Sequence, residues 1–325
     1  MRRDCLTLPV LEEHLNANGK DIGGVVPIIP VPFDAGESVD EGALRRLVDF
    51  AVACKVDAVC LPAYGSEFYK LSEEERTRVV AVAVEQAAGR LKVVAQCNHG
   101  SSRVASSLAG SNLEAGADLV SIAIPRQFPV PDEDLLRFLA AFLDSFTAPC
   151  LLQDFNPGGP TLSAAFLARL RAECPNLAYL KLEEPLSASK VAAMVEATGG
   201  EVGILTGWGG LYMMELIPAG ICGLMPGLGL ADLLNRIFWL AKEGDTDQAF
   251  HFFERIVPLL FLSLQHLELY HYCEKRLLQA RGRLEETHCR QAAYQPDIYT
   301  REHLERLLQR ALRTLEDAGL GKDEV

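Results

Sequence analysis

Between residues 23 and 243 the chain repeats one pattern eight times: a short apolar run, a loop, then a stretch of helical period. The apolar runs fall at 23–33, 57–62, 91–97, 118–124, 149–154, 177–185, 202–206 and 220–225. The helical stretches fall at about 38–54, 72–88, 101–115, 132–145, 162–171, 187–198, 211–217 and 230–242. Ser38 or Asp40 can cap the first of these, and Ser72 with Glu75 forms a capping-box pattern at the second. The runs are continuously apolar rather than alternating, which means burial on both faces and hence a parallel sheet. Eight such units predict an α/β fold of the closed (β/α)8 type, a TIM barrel, better than an open sheet with fewer strands. No Gly-x-Gly-x-x-Gly follows the first strand, which counts against a dinucleotide-binding fold.

After about residue 245 the strand signal stops, and 247–272 and 300–318 read as helices. The expected organisation is an N-terminal extension over 1–22 carrying a leading helical segment, the barrel over 23–243, and a C-terminal helical region over 244–325 packed on it. A net charge of −13 without a compensating Lys/Arg cluster argues against nucleic acid as a partner. No apolar run approaches the roughly 18 residues of a membrane span, and the first ten residues lack the apolar core of a signal peptide. The nine cysteines are scattered without a C-x-x-C spacing, which argues against a disulfide framework or structural zinc. They read as small buried hydrophobes in a cytoplasmic protein.

One strand carries a residue that an apolar core does not want. In Leu177-Ala178-Tyr179-Leu180-Lys181-Leu182-Glu183-Glu184-Pro185, alternation places Tyr179, Lys181 and Glu183 on one face. A lysine pointing into a core is expensive as a cation, and desolvation drives it toward the neutral amine that attacks carbonyls. An edge strand with a snorkelling lysine paired to Glu183 is the plainer alternative.

In a barrel of this kind the chemistry lies at the C-terminal ends of the strands. Those positions hold Tyr64-Gly65-Ser66-Glu67, Asn98-His99, Arg126-Gln127, Asp154, Lys181 with Glu183, Trp208, and Met225. The set suits a Schiff-base enzyme. Lys181 would condense with a 2-keto acid, Tyr64, Gly65 and Ser66 would hold the substrate carboxylate, and Asp154, His99 or Tyr64 would move the proton. Each has a structural alternative: Asp154 as a cap of the loop before Asn156, His99 as a satisfied loop histidine, Glu67 as a loop-fixing carboxylate. Glu183 could simply hold Lys181, and Trp208 could be a pocket wall. His266, His271, His288, Tyr270 and Tyr272 read by default as surface or packing residues of the tail.

These motifs, in this order, resemble the dihydrodipicolinate synthase and N-acetylneuraminate lyase family from about Gly23 to Pro296. Ala63-Tyr64-Gly65-Ser66-Glu67 matches the family's Gly-Thr-Thr-Gly-Glu loop and is followed by Leu71-Ser72-x-x-Glu75-Arg76. Lys181 matches its Schiff-base lysine, and Gly207 and the 220–227 segment match its Gly-rich strand ends. The chain departs where the family has Tyr-Asn-x-Pro, since Asp154-Phe155-Asn156-Pro157 stands there without the proton-relaying tyrosine. Both threonines of the carboxylate loop are also replaced. Gln153-Asp154, Ser66-Glu67, His99, Lys181-x-Glu183-x-Pro185 and Trp208 are together similar to the 2-keto-3-deoxy-L-arabonate dehydratase branch.

The resemblance implies a lyase that forms a Schiff base through Lys181 with a 2-keto-3-deoxy sugar acid and eliminates water. The catalytic residues would be Lys181, Asp154 and His99; Tyr64, Gly65, Ser66, Glu183, Trp208 and Met225 would bind substrate. It implies no metal, no dissociable cofactor, and a homo-oligomer, tetramer or dimer. A pyruvate-dependent class I aldolase and an inactive keto-acid-binding barrel are the alternatives.

Overall fold

The structure, a computed structural model, describes residues 22–126, 128–156 and 159–321. The leading helical segment expected over 1–21 lies outside the described residues, as do Gln127 and Pro157.

Eight parallel strands run in the order β1-β8-β7-β6-β5-β4-β3-β2. They are β1 (Gly24–Val25), β2 (Ala58–Leu61), β3 (Lys92–Gln96), β4 (Leu119–Ala123), β5 (Cys150–Phe155), β6 (Leu177–Glu183), β7 (Gly203–Thr206) and β8 (Gly223–Leu224). Ile28 bridges both Cys60 and Gly227, so the segment after β1 closes the ring between its first and last strands. The helices between strands are α1 (Glu41–Ala53), α2 (Glu73–Ala87), α3 (Ser102–Glu114), α4 (Asp132–Leu143), α5 (Ala164–Glu173), α6 (Ala188–Ala197), α7 (Met213–Leu216) and α8 (Ala231–Lys242). Asp40 caps α1, and Ser72 with Glu75 closes a reciprocal capping box on α2. The TIM barrel expected from the repeat is present, with helices following it.

Two apolar layers explain the continuous strand runs. Outward residues such as Leu152, Leu180 and Leu182 join the large core between barrel and helices. Inward residues Val26, Cys60, Val94, Leu151, Tyr179 and Leu205 fill the barrel as a smaller core. Period-2 alternation then decides which polar residues face the barrel axis. On β6, Lys181 and Glu183 follow Tyr179 inward. On β5, Gln153 and Phe155 follow Leu151 inward, and Asp154 turns outward.

The tail differs from the single helix expected over 247–272. It forms α9 (Thr246–Ser263) and α10 (Leu267–Ala280), followed by α11 (Ile298–Asp317). The chain breaks at His266, whose extended backbone and Nδ1, accepting the Glu268 N–H at 3.2 Å, make it the N-cap of α10. The break sends α10 across the mouth of the barrel. Among the described residues no helix is long and apolar enough to cross a membrane, and no group of three or more His, Cys, Asp or Glu could hold a metal ion.

Candidate active site

A cavity of about 250 Å³ opens at the C-terminal end of the barrel. Lys181, Glu183, Gln153 and Phe155 line it from β6 and β5, and Tyr64 and Gly65 from the turn after β2. Trp208 and Gly209 enter after β7, Met225 and Pro226 after β8. Leu264, Gln265, His266, Leu267 and Tyr270 close it from the α9–α10 junction.

Lys181 is 6% exposed, and its Nζ lies 3.3 Å from Glu183 Oε1. Register places Gln153 beside Lys181 on the neighbouring strand. A chain of amides fixes the carboxylate: Gln96 Nε2 donates to Gln153 Oε1 at 2.6 Å, and Gln153 Nε2 donates to Glu183 Oε2 at 2.7 Å. The Trp208 N–H reaches Glu183 Oε1 at 3.4 Å. Trp208 holds a left-handed φ of 50°, a costly conformation for a bulky residue and one that concentrates at functional sites. Its ring packs edge-on against Phe155, 6.0 Å between centroids, and its indole N–H is buried without a partner among the described residues. A buried donor of this kind is one that most folds pair. Gly207 makes the approach possible, because a Cβ there would overlap the Glu183 carboxyl group.

Two phenols face the same space. Burial, then the Glu183 charge, raises the Tyr64 hydroxyl above its ordinary range. Burial, then the Glu274 and Glu183 charges, pushes Tyr270 well above its own. Both stay neutral donors at physiological pH.

Of the nine site residues expected from the sequence, Lys181, Tyr64, Gly65, Glu183, Trp208 and Met225 line the cavity. Three do not. Asp154 faces away from Lys181, with Oδ1 on Arg126 at 2.7 Å and Oδ2 accepting the Leu162 N–H at 2.5 Å. Burial raises its carboxyl despite those partners. It holds the loop after β5, the structural alternative. His99 is exposed, its Nδ1 accepting the Ser101 N–H at 2.9 Å. Ser66 is fully buried, donating to the Ile29 carbonyl at 2.6 Å and accepting the Ala63 N–H at 3.0 Å, so its hydroxyl is spent on the turn. Glu67 fixes its loop, as the plainer reading had it. It pairs with Lys275 at 2.6 Å and Lys70 at 2.9 Å.

Sequence reasoning missed Gln153 and Tyr270. Strand parity would have found the first, since Leu151, Gln153 and Phe155 alternate in step with Tyr179, Lys181 and Glu183. Tyr270 depends on the break at His266 and had no comparable signal.

Residues 21–311 match the model of the dihydrodipicolinate synthetase family. The chain is similar to L-2-keto-3-deoxyarabonate dehydratase of Azospirillum brasilense, 30% identical over 73% of this chain and 78% of that protein. It is also similar to 4-hydroxy-tetrahydrodipicolinate synthase of Thermomicrobium roseum, 30% identical over 73% of this chain and 78% of that protein. Among solved structures, dihydrodipicolinate synthase of Rhodopseudomonas palustris superposes with a TM-score of 0.84 at 24% identity, covering 89% of this chain and 98% of that one. The chain belongs to the dihydrodipicolinate synthetase family.

Proposed function

We propose that the protein is a lyase that forms a Schiff base through Lys181 with a 2-keto-3-deoxy sugar acid and eliminates water, with no metal or dissociable cofactor. The observation that carries this reading is Lys181 itself, a buried primary amine facing a cavity with one carboxylate as its ion-pair partner. A cavity of about 250 Å³ suits a small acid rather than a polymer. Condensation of the amine with the 2-keto group gives an iminium that draws electrons from C3. With C3 deprotonated, the electron pair expels the C4 hydroxyl. Tyr270 and Tyr64 are the neutral phenols placed to exchange protons with the substrate, while Glu183 and the Trp208 indole N–H bind its polar groups.

Elimination is favoured over carbon–carbon cleavage by the similarity to the Azospirillum dehydratase. The test is turnover of 2-keto-3-deoxy-L-arabonate with product analysis. A keto-acid semialdehyde is expected; release of free pyruvate would reassign the enzyme as an aldolase. Sedimentation equilibrium checks the tetramer or dimer that the family resemblance implies.

A further inference from the structure

Behind Tyr270 lies a second, smaller cavity of about 30 Å³, lined by Tyr270, Glu274, Gly227, Ser263 and apolar residues of α8, α9 and α10. Tyr270 lines both this space and the active-site cavity, and is the one titratable side chain common to the two. Glu274 stands one turn further along α10, so both side chains project from the same helix face. A Cβ on Gly227 would collide with Glu274 Oε2 and would come within 2.7 Å of the Tyr270 hydroxyl, so the two oxygens converge on one point of the loop after β8. The small cavity that both side chains line has room for one water.

Glu274 is an unusual buried carboxyl. It is 8% exposed, and its Oε1 accepts the Gly229 N–H at 2.6 Å. No cation pairs with it among the described residues. Arg281, just past the end of α10, gives its guanidinium to Asp232 of α8 at 2.6 Å instead. A purely structural carboxylate at this depth would be expected to hold a cation. The other titratable groups around it are Tyr270 and Cys273 on α10, with Glu183 of β6 beyond Tyr270. The α9 residues facing the small cavity, Leu259, Leu260 and Ser263, carry none.

We infer that Glu274 is the proton store of the active site, exchanging protons with the substrate through one water and the Tyr270 hydroxyl. The inference rests on the Schiff-base reading given above. When the C3–H bond of the iminium breaks, its electron pair forms the C2=C3 bond and the nitrogen becomes neutral. The proton arrives on the Tyr270 oxygen as that oxygen's own proton passes through the water to the Glu274 carboxylate. In the elimination the C4–O bond breaks and the departing oxygen takes a proton back by the same route, leaving as water. The store ends as it began, and no other acid is consumed. Burial raises the Glu274 carboxyl to about 7, against the pull of the Gly229 and Leu228 N–H groups and of Arg281, which poises it to give and take protons near neutrality.

The test uses pyruvate as the probe and needs no knowledge of the physiological substrate. The rate at which the protein exchanges the pyruvate methyl protons with D2O is followed by NMR across pH, alongside borohydride trapping of the Lys181 adduct. Glu274→Gln keeps an acceptor for the Gly229 N–H but cannot titrate. It is expected to trap as much adduct as the parent, to slow exchange by about 10²-fold, and to lose the limb of the pH profile near 7. Tyr270→Phe, which keeps the ring, should flatten the same limb by cutting the link, and serves if Glu274→Gln does not fold. A limb near 7 that persists in both variants, or in the one that folds, overturns the proposal while leaving the Schiff base intact. Failure of the parent to trap pyruvate at all overturns both.

Discussion

Replacing Gly207 by alanine should cost the site its ordered carboxylate. A Cβ on Gly207 overlaps Oε1, Cδ and Cγ of Glu183. The φ of Gly207 is −97°, outside the left-handed region, so collision rather than backbone handedness is the cause. The carboxylate must retreat by about 1 Å to regain a van der Waals distance. Three interactions end on its two oxygens: Gln153 Nε2 at 2.7 Å, Lys181 Nζ at 3.3 Å and the Trp208 N–H at 3.4 Å. A hydrogen bond to a charged group contributes about 1.5–3 kcal/mol, so stability should fall by an amount in that range. A misplacement of about 1 Å at a reacting centre costs on the order of 10²-fold in rate. Exchange of pyruvate methyl protons in D2O, read by NMR, should therefore slow by about 10²-fold in Gly207→Ala. A double-mutant cycle isolates the cause, because Glu183→Ala clears the space that the new methyl needs. In that background Gly207→Ala should change the rate by less than about two-fold, the coupling absorbing nearly the whole effect. Losses that simply add would refute the reasoning.

Other perturbations separate support from chemistry. Lys275 and Glu67 are each 1% exposed, so Lys275→Met strands a buried carboxylate and should cost about 3–5 kcal/mol in urea denaturation, the low end if Lys70 compensates. Ser66→Ala leaves the Ala63 N–H and Ile29 carbonyl short of a partner and should lower stability by about 2 kcal/mol with pyruvate trapping unchanged; a large rate loss without a stability loss would return Ser66 to the chemistry. Asp154→Asn should likewise weaken the fold and spare the adduct. Glu274 gives a pH signature. Its folded value of about 7 stands above the unfolded 4.5, so the native state retains a proton that the unfolded chain has released. That contribution is full below about 4.5 and is lost as pH rises through about 7, a change of about 3 kcal/mol. Glu274→Gln should therefore gain stability relative to the parent across that window in denaturation curves, and a constant difference would contradict it.

The barrel was legible because its strands are buried on both faces and read as eight unbroken apolar runs. Lys181 was legible for the same reason, as a cation in a place that excludes cations. Parity on the neighbouring strand was legible too, yet Asp154, one residue from Gln153, drew attention by its chemistry although its side chain turns to Arg126. Ser66 and His99 could not be judged from position, because a turn hydroxyl or a loop imidazole faces either a cavity or its own backbone, and only the local φ/ψ decides. Tyr270 and Glu274 were beyond reach: they lie some ninety residues from Lys181 in sequence, and their approach depends on a helix break made by one side chain, His266.

The most direct measurement is borohydride reduction in the presence of pyruvate, followed by peptide mass mapping. A stable adduct confined to the peptide carrying Lys181, and absent from Lys181→Arg, is the result the account predicts. No adduct, or one that survives in Lys181→Arg on another lysine, would contradict it.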